Sequence, residues 1–175
     1  MDREADSYDL FSKLSENGYR FVIRLCYNRV IEEGQVRKLF DFMDQVEVYA
    51  ERDVQLSKRT QSKGLTQKRI HPGRETRVAN LSIGASQVTF KRGEHLNKSL
   101  PETLVLNVVK IFEPKPPNGE KPIEWLLVTT ETIESKEEVL KVVDYYRKRW
   151  IIEEYFKALK TGCSLEKRLF ESANA

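Results

Sequence analysis

The chain has little sulfur or imidazole to work with. Its 175 residues include two cysteines, Cys26 and Cys163, and two histidines, His71 and His95. Distant cysteines without C-x-x-C spacing argue against a disulfide framework or a zinc site and fit a reducing compartment. Two scattered histidines argue against a histidine metal site or a Ser-His triad. No apolar run approaches the ~20 residues of a membrane span, and no secretory leader is visible. A soluble cytoplasmic protein with no membrane partner is the expectation. Net charge is small as well: 30 Lys and Arg stand against 27 Asp and Glu, leaving +3. Bulk charge therefore names no partner, and local clustering has to. Apolar residues make up 39% of the chain, enough for the core of one domain, or of one domain with an insertion.

The apolar patterning orders the chain. Residues 3–18 predict a helix on Leu10, Phe11 and Leu14, with Gly18 as its C-cap. Residues 19–27 are β-branched and aromatic and predict a strand, 33–45 a short helix or irregular piece, and 46–56 another strand. Residues 57–77 hold seven Lys or Arg against one Glu and predict a basic loop. V-A-N-L-S-I-G and Q-V-T-F-K-R-G predict a hairpin around Ala85 and Ser86. E-T-L-V-L-N-V-V-K-I-F-E-P and I-E-W-L-L-V-T-T-E predict two more strands. From Ser135, an N-cap with Glu137 and Glu138 in the first turn, the pattern is helical to about Lys160. A run of about six strands thus lies between helices, as in a β insertion placed inside an α/β or α+β domain.

One helical stretch, D-Y-Y-R-K-R-W-I-I-E-E-Y-F-K-A-L-K-T-G at 144–162, mixes charge and aromatics. At 100° per residue, Tyr146, Arg149, Glu153, Lys157 and Lys160 fall within about 80° of one another. They border an arc of Ile152, Tyr155, Phe156 and Leu159. One reading is a solvated edge of ordinary i,i+4 ion pairs worth about 0.2–0.5 kcal/mol each. The other is a site in which Glu153 holds a metal and the cations hold phosphates.

The spacing Y-x-x-R-x-x-x-E-x-x-x-x-x-x-K, carried by Tyr146, Arg149, Glu153 and Lys160, resembles the Y-R-E-K signature of bacterial DDE transposases of the insertion-sequence-four type. Trp150, Glu154, Lys157 and the K-T-G at 160–162 fit the same neighbourhood. The opening M-D-R-E-A-D resembles the family's D-R-E-A-D run, whose first Asp is the second catalytic carboxylate; here that is Asp2. Read alone, Asp2 suits a helix N-cap, and the two roles are compatible. Trp125 stands where the family stacks a flipped base; by itself it reads as a core tryptophan on a buried strand. Arg24 resembles a DNA-contacting arginine, against the plainer reading of an exposed strand residue.

The resemblance implies a fold, a chemistry and a partner. The fold would be α/β (α+β), a partial RNase H-like catalytic domain. Residues 1–18 would supply its second Asp and the following helix, 19–130 a large antiparallel β insertion with the basic loop at 57–77, and 131–175 the catalytic helix. The chemistry would be cutting and joining of transposon-end DNA. Asp2 and Glu153 would hold Mg²⁺ or Mn²⁺ in a two-metal site needing hard oxygen ligands. Tyr146, Arg149, Lys157 and Lys160 would grip a phosphate, with Trp125, Trp150 and Arg24 also on DNA. The seven cations of 57–77 would add backbone contacts, or simply be solvated. The first catalytic Asp would belong upstream; Asp6, Asp9, Asp41, Asp44, Asp53 and Asp144 lie in the wrong order and context. A truncated piece, inactive alone and not binding Mg²⁺ or Mn²⁺ without that missing Asp, is therefore expected. Ile152, Phe156 and Leu159 would then need cover from the β insertion, the N-terminal helix or a second copy, making a homodimer a candidate. A non-catalytic DNA-binding module and an RNase H-like nuclease are the alternative readings.

Overall fold

The computed structural model describes residues 5–56, 58 and 75–162; the side chains at 150, 153, 154, 157 and 160–162 lie outside that description. The elements run α1 (Tyr8–Glu16), β1 (Val22–Arg24), β2 (Val30–Glu33), β3 (Val36–Lys38), α2 (Leu39–Met43) and β4 (Val48–Leu56). Then follow β5 (Arg77–Lys91), β6 (Thr103–Phe112), β7 (Glu124–Thr129), α3 (Lys136–Arg147) and α4 (Arg149–Gly162). The strands form one sheet in the order β1-β7-β6-β5-β2-β3, with β4 also pairing β5. Every described pairing is antiparallel.

Two apolar cores flank this sheet. On one face Tyr8 and Phe11 of α1 and Leu39 and Met43 of α2 pack on Ile23, Val88, Phe90, Leu106, Val108 and Val128. On the other, α3 lays Val139, Val142, Val143 and Tyr146 on Leu81, Ile83, Val109, Ile111 and Leu127. The i, i+3, i+4, i+7 spacing of those four α3 residues is one helical stripe. Each fully buried aliphatic side chain contributes about 1.5–3 kcal/mol, so this stripe holds α3 in place.

Helix α1 ends as Gly18 implied. Gly18 takes φ 66°, Tyr19 N–H donates to Leu14 O at 2.9 Å and Gly18 N–H to Ser15 O at 3.0 Å. That is a Schellman motif, with Asn17 as the C-cap and Gly18 one residue beyond. The Ser135 cap is also present and closes a capping box. Ser135 Oγ accepts from Glu138 N–H at 3.3 Å, and Glu138 accepts from Ser135 N–H at 3.2 Å. Substituting Ser135→Ala is expected to cost about 1 kcal/mol, read as a fall of about 2–4 °C in a thermal melt.

Several elements differ from the sequence reading. No hairpin interrupts residues 77–91; β5 is continuous, pairing β6 from Ser82↔Phe112 to Lys91↔Thr103. Its apolar set changes parity midway. Ala79, Leu81, Ile83 and Ala85 face α3, whereas Val88 and Phe90 face α1 and α2. A strand covered on opposite faces at its two ends imitates, in sequence, two strands around a turn. The expected helix to Lys160 is likewise broken at Lys148, where Ile151 N–H donates to Lys148 O at 3.0 Å, an i,i+3 turn. Arg147, Lys148 and Arg149 are three cations in a row, which suits a helix C-terminus. The β2–β3 hairpin, turning at Gly34 with φ 56°, was not foreseen within 33–45.

One expectation about surface fails among the described residues. Arg77 belongs to β5, not to a basic loop. Its guanidinium pairs with Glu113 and is 14% exposed, so it is not available to a phosphate. Lys58 pairs with Glu75 at 3.1 Å; Arg59, Lys63, Lys68, Arg69 and Arg74 lie outside the described residues. The apolar arc of α4 finds no cover among the described residues: Ile152 is 60% and Phe156 54% exposed.

Candidate nucleic-acid interface

Three elements bring four of the sequence-predicted residues to one place. Strand register does the first part. Arg24 stands opposite Leu127 in the β1–β7 pair, and Trp125 opposite Ile111 in the β6–β7 pair. Leu127 and Ile111 both belong to the core under α3, so Arg24 and Trp125 share that face. Helix geometry does the second part. Tyr146 is the last of the four buried α3 residues, and Arg149 follows the break at Lys148.

Tyr146 is the centre of the group and is only 7% exposed. Its ring meets Trp125 edge-on, with centroids 5.3 Å apart and planes at 61°. The Arg149 guanidinium lies over its ring at 5.8 Å from the centroid. Arg24 Nη1 donates to its hydroxyl at 3.5 Å, and Arg24 Nη2 donates to Glu124 O at 3.0 Å. Such an aromatic edge contact is worth about 0.5–1.5 kcal/mol beyond area, and an exposed cation–π contact about 0.5–1 kcal/mol. The 3.5 Å bond is at the long limit and contributes least. Two guanidinium groups and two aromatic rings thus sit within one patch.

The remaining predicted residues are placed less fully. Trp150, Glu153, Lys157 and Lys160 lie on the backbone of α4, and their side chains lie outside the described residues. Asp2 lies outside them altogether. Among the described residues no three His, Cys, Asp or Glu side chains group as a metal site would need. Asp2 and Glu153 fit a hard divalent cation by donor chemistry, since both are carboxylates.

Two features near the patch were not foreseen. Asp6, set aside as a catalytic candidate, is a buried anchor whose side chain is 0% exposed and paired with Arg29. A cavity of about 340 Å³ opens by β1 and β7, and its lining includes Arg24, Cys26, Phe40, Met43, Lys110 and Trp125. Neither left a signal in sequence: the partners of Asp6 lie 20 or more residues from it, and the cavity is lined from four separate stretches of chain.

A family model of the transposase DDE domain matches residues 1–175. Among the described residues no helix is long and apolar enough to cross a membrane. The family acts in transposition-related DNA cleavage and typically uses a divalent metal, and its substrate is DNA. On that match, the chain belongs to the transposase DDE domain family.

Proposed function

We propose that the chain works on transposon-end DNA as an insertion-sequence-four, Y-R-E-K type transposase with an RNase H-like catalytic core. The observation that carries this reading is the convergence of Arg24, Trp125, Tyr146 and Arg149, which are scattered over the sequence. Arg24 and Arg149 lie against the same tyrosine and would hold one phosphate between them. Trp125, half-buried beside Tyr146, would offer a ring face to a base, worth about 1–3 kcal/mol of stacking. Tyr146, being buried, would act mainly as the spacer that fixes the two guanidinium groups. Lys157 and Lys160, one and two turns beyond Glu153 on α4, would extend the phosphate contacts; Trp150 would lie beside them.

Asp2 and Glu153 would hold Mg²⁺ or Mn²⁺. When bound, the ion activates the attacking oxygen and stabilises the leaving one. The chain's own residues bind the strand, orient the phosphate and keep the base unstacked. Calorimetric titration with Mn²⁺ tests the assignment. Glu153→Gln is expected to abolish Mn²⁺ binding and to leave affinity for duplex DNA equal or higher, because a repelling charge is gone. Unchanged Mn²⁺ binding in that variant would leave a DNA-binding module without this metal site.

A further inference from the structure

Asp6 has more partners than a surface N-terminal carboxylate needs. One oxygen, Oδ2, accepts from the backbone N–H groups of Cys26 at 2.7 Å and Tyr27 at 3.0 Å. The other, Oδ1, accepts from Arg29 Nε at 3.0 Å and also from Arg29 Nη2. Arg29 Nη2 donates in addition to the Asp6 main-chain oxygen at 2.8 Å. The Arg29 guanidinium is itself held over the rings of Phe11, at 5.2 Å, and Tyr27, at 5.9 Å. All the carboxylate's acceptor sites are thus engaged, in a group shielded from water.

The place of this clamp matters. Cys26, Tyr27 and Arg29 form the bend that leaves β1, and Arg24 is the last residue of β1. Beyond Arg24 the strand keeps one more sheet bond, Leu25 N–H to Leu126 O at 2.8 Å. The next two amides are held by Asp6 instead of by a neighbouring strand. A carboxylate just before α1 therefore finishes the strand that carries Arg24. A neutral side chain could not do the same. The amides need an acceptor, and Arg29 needs a counter-charge in a site where a lone buried cation is costly.

We propose that Asp6 is a positioning residue for DNA binding: by clamping the Cys26–Arg29 bend, it fixes the end of β1 and so the Arg24 guanidinium beside Tyr146 and Trp125. This rests on the reading of Arg24 as a phosphate contact. The test is the salt dependence of binding to a fluorescein-labelled duplex DNA, measured on the full chain. Removing one cation from its phosphate lowers the slope of log affinity against log salt by about 0.9. Arg24→Ala is expected to lower the slope by that amount and the affinity about tenfold. Asp6→Asn is expected to lower the slope equally and the affinity about fivefold, and the double variant no further than Arg24→Ala alone.

A purely structural role would reduce the folded fraction and leave the slope unchanged. A wild-type slope in Asp6→Asn therefore overturns the proposal, with or without loss of affinity. An additive double variant overturns it too. A wild-type slope in Arg24→Ala overturns the underlying reading and the proposal with it, which separates the two failures. If Asp6→Asn does not fold, Arg29→Lys carries the same test. It keeps the charge but loses the fork geometry, so a lowered slope supports the clamp and an unchanged one sinks it.

Discussion

Glu113→Ala is expected to destabilise the chain by about 3 kcal/mol, a fall of about 6–12 °C in melting temperature. Glu113 lies one residue beyond β6 and its side chain is 2% exposed. It accepts from both terminal nitrogens of Arg77, at the start of β5, and from Ile123 N–H at 3.2 Å, just before β7. Three stretches of chain thus meet on one carboxylate. Its removal leaves a poorly hydrated guanidinium and a backbone amide without their acceptor. Net Coulomb gain from the intact pair is smaller than this, because both charges were desolvated to make it. The uncompensated arginine is what makes truncation severe, so Glu113→Ala with Arg77→Met together should cost less than Glu113→Ala alone.

The same pair sets a dependence on pH. The Arg77 hydrogen bonds hold the Glu113 carboxyl below the usual carboxylate range; burial opposes them but does not win. A depressed folded value means that the stabilisation is present above the unfolded value, about 4.3, and is lost as pH falls through the folded one. The gap in melting temperature between wild type and Glu113→Ala should therefore hold steady from neutrality to about pH 5 and narrow below it. A gap that stays constant into strong acid would place the effect in packing instead.

Local chemistry was legible in the sequence, and long-range pairing was not. Ser135, with Glu137 and Glu138 after it, announced a helix start because a cap and a first-turn charge need only residues a few apart. Gly18 announced a helix end because few other residues accept a positive φ. The seam in β5 misled because alternation reports only which side is buried, and the buried side switches near Ala85. Small residues occupy that switch: a Cβ on Gly84 would stand 3.1 Å from Glu47 O, where β4 comes in. Small residues at a change of phase also describe a turn, so pattern alone could not separate the two. Arg77 was misplaced for a related reason. It closes a cationic run in sequence, yet its partner Glu113 is 36 residues away. Of the candidate site, spacing gave Tyr146 and Arg149. Only the sheet register brings in Arg24 and Trp125 on the same face.

Tyr146 offers the second large effect, and it separates two physical roles. Tyr146→Ala removes a side chain 7% exposed that packs on Trp125 and closes the α3 stripe. Large-to-small changes of this kind cost about 3–5 kcal/mol. The same change frees the Arg149 guanidinium from its ring and Arg24 from its hydroxyl, so DNA affinity should fall more than tenfold. Tyr146→Phe keeps the ring, its edge on Trp125 and its face under Arg149. It loses only the 3.5 Å bond to Arg24, a contact too long to be worth more than about 0.5 kcal/mol. Stability should hardly move, and affinity should drop by threefold or less. That contrast follows from Tyr146 acting as the spacer between two arginines. Had the hydroxyl itself gripped the phosphate, Tyr146→Phe would lose about as much binding as Tyr146→Ala while melting like wild type. Binding and melting curves on the two variants side by side decide between a tyrosine that holds DNA and one that holds the arginines that do.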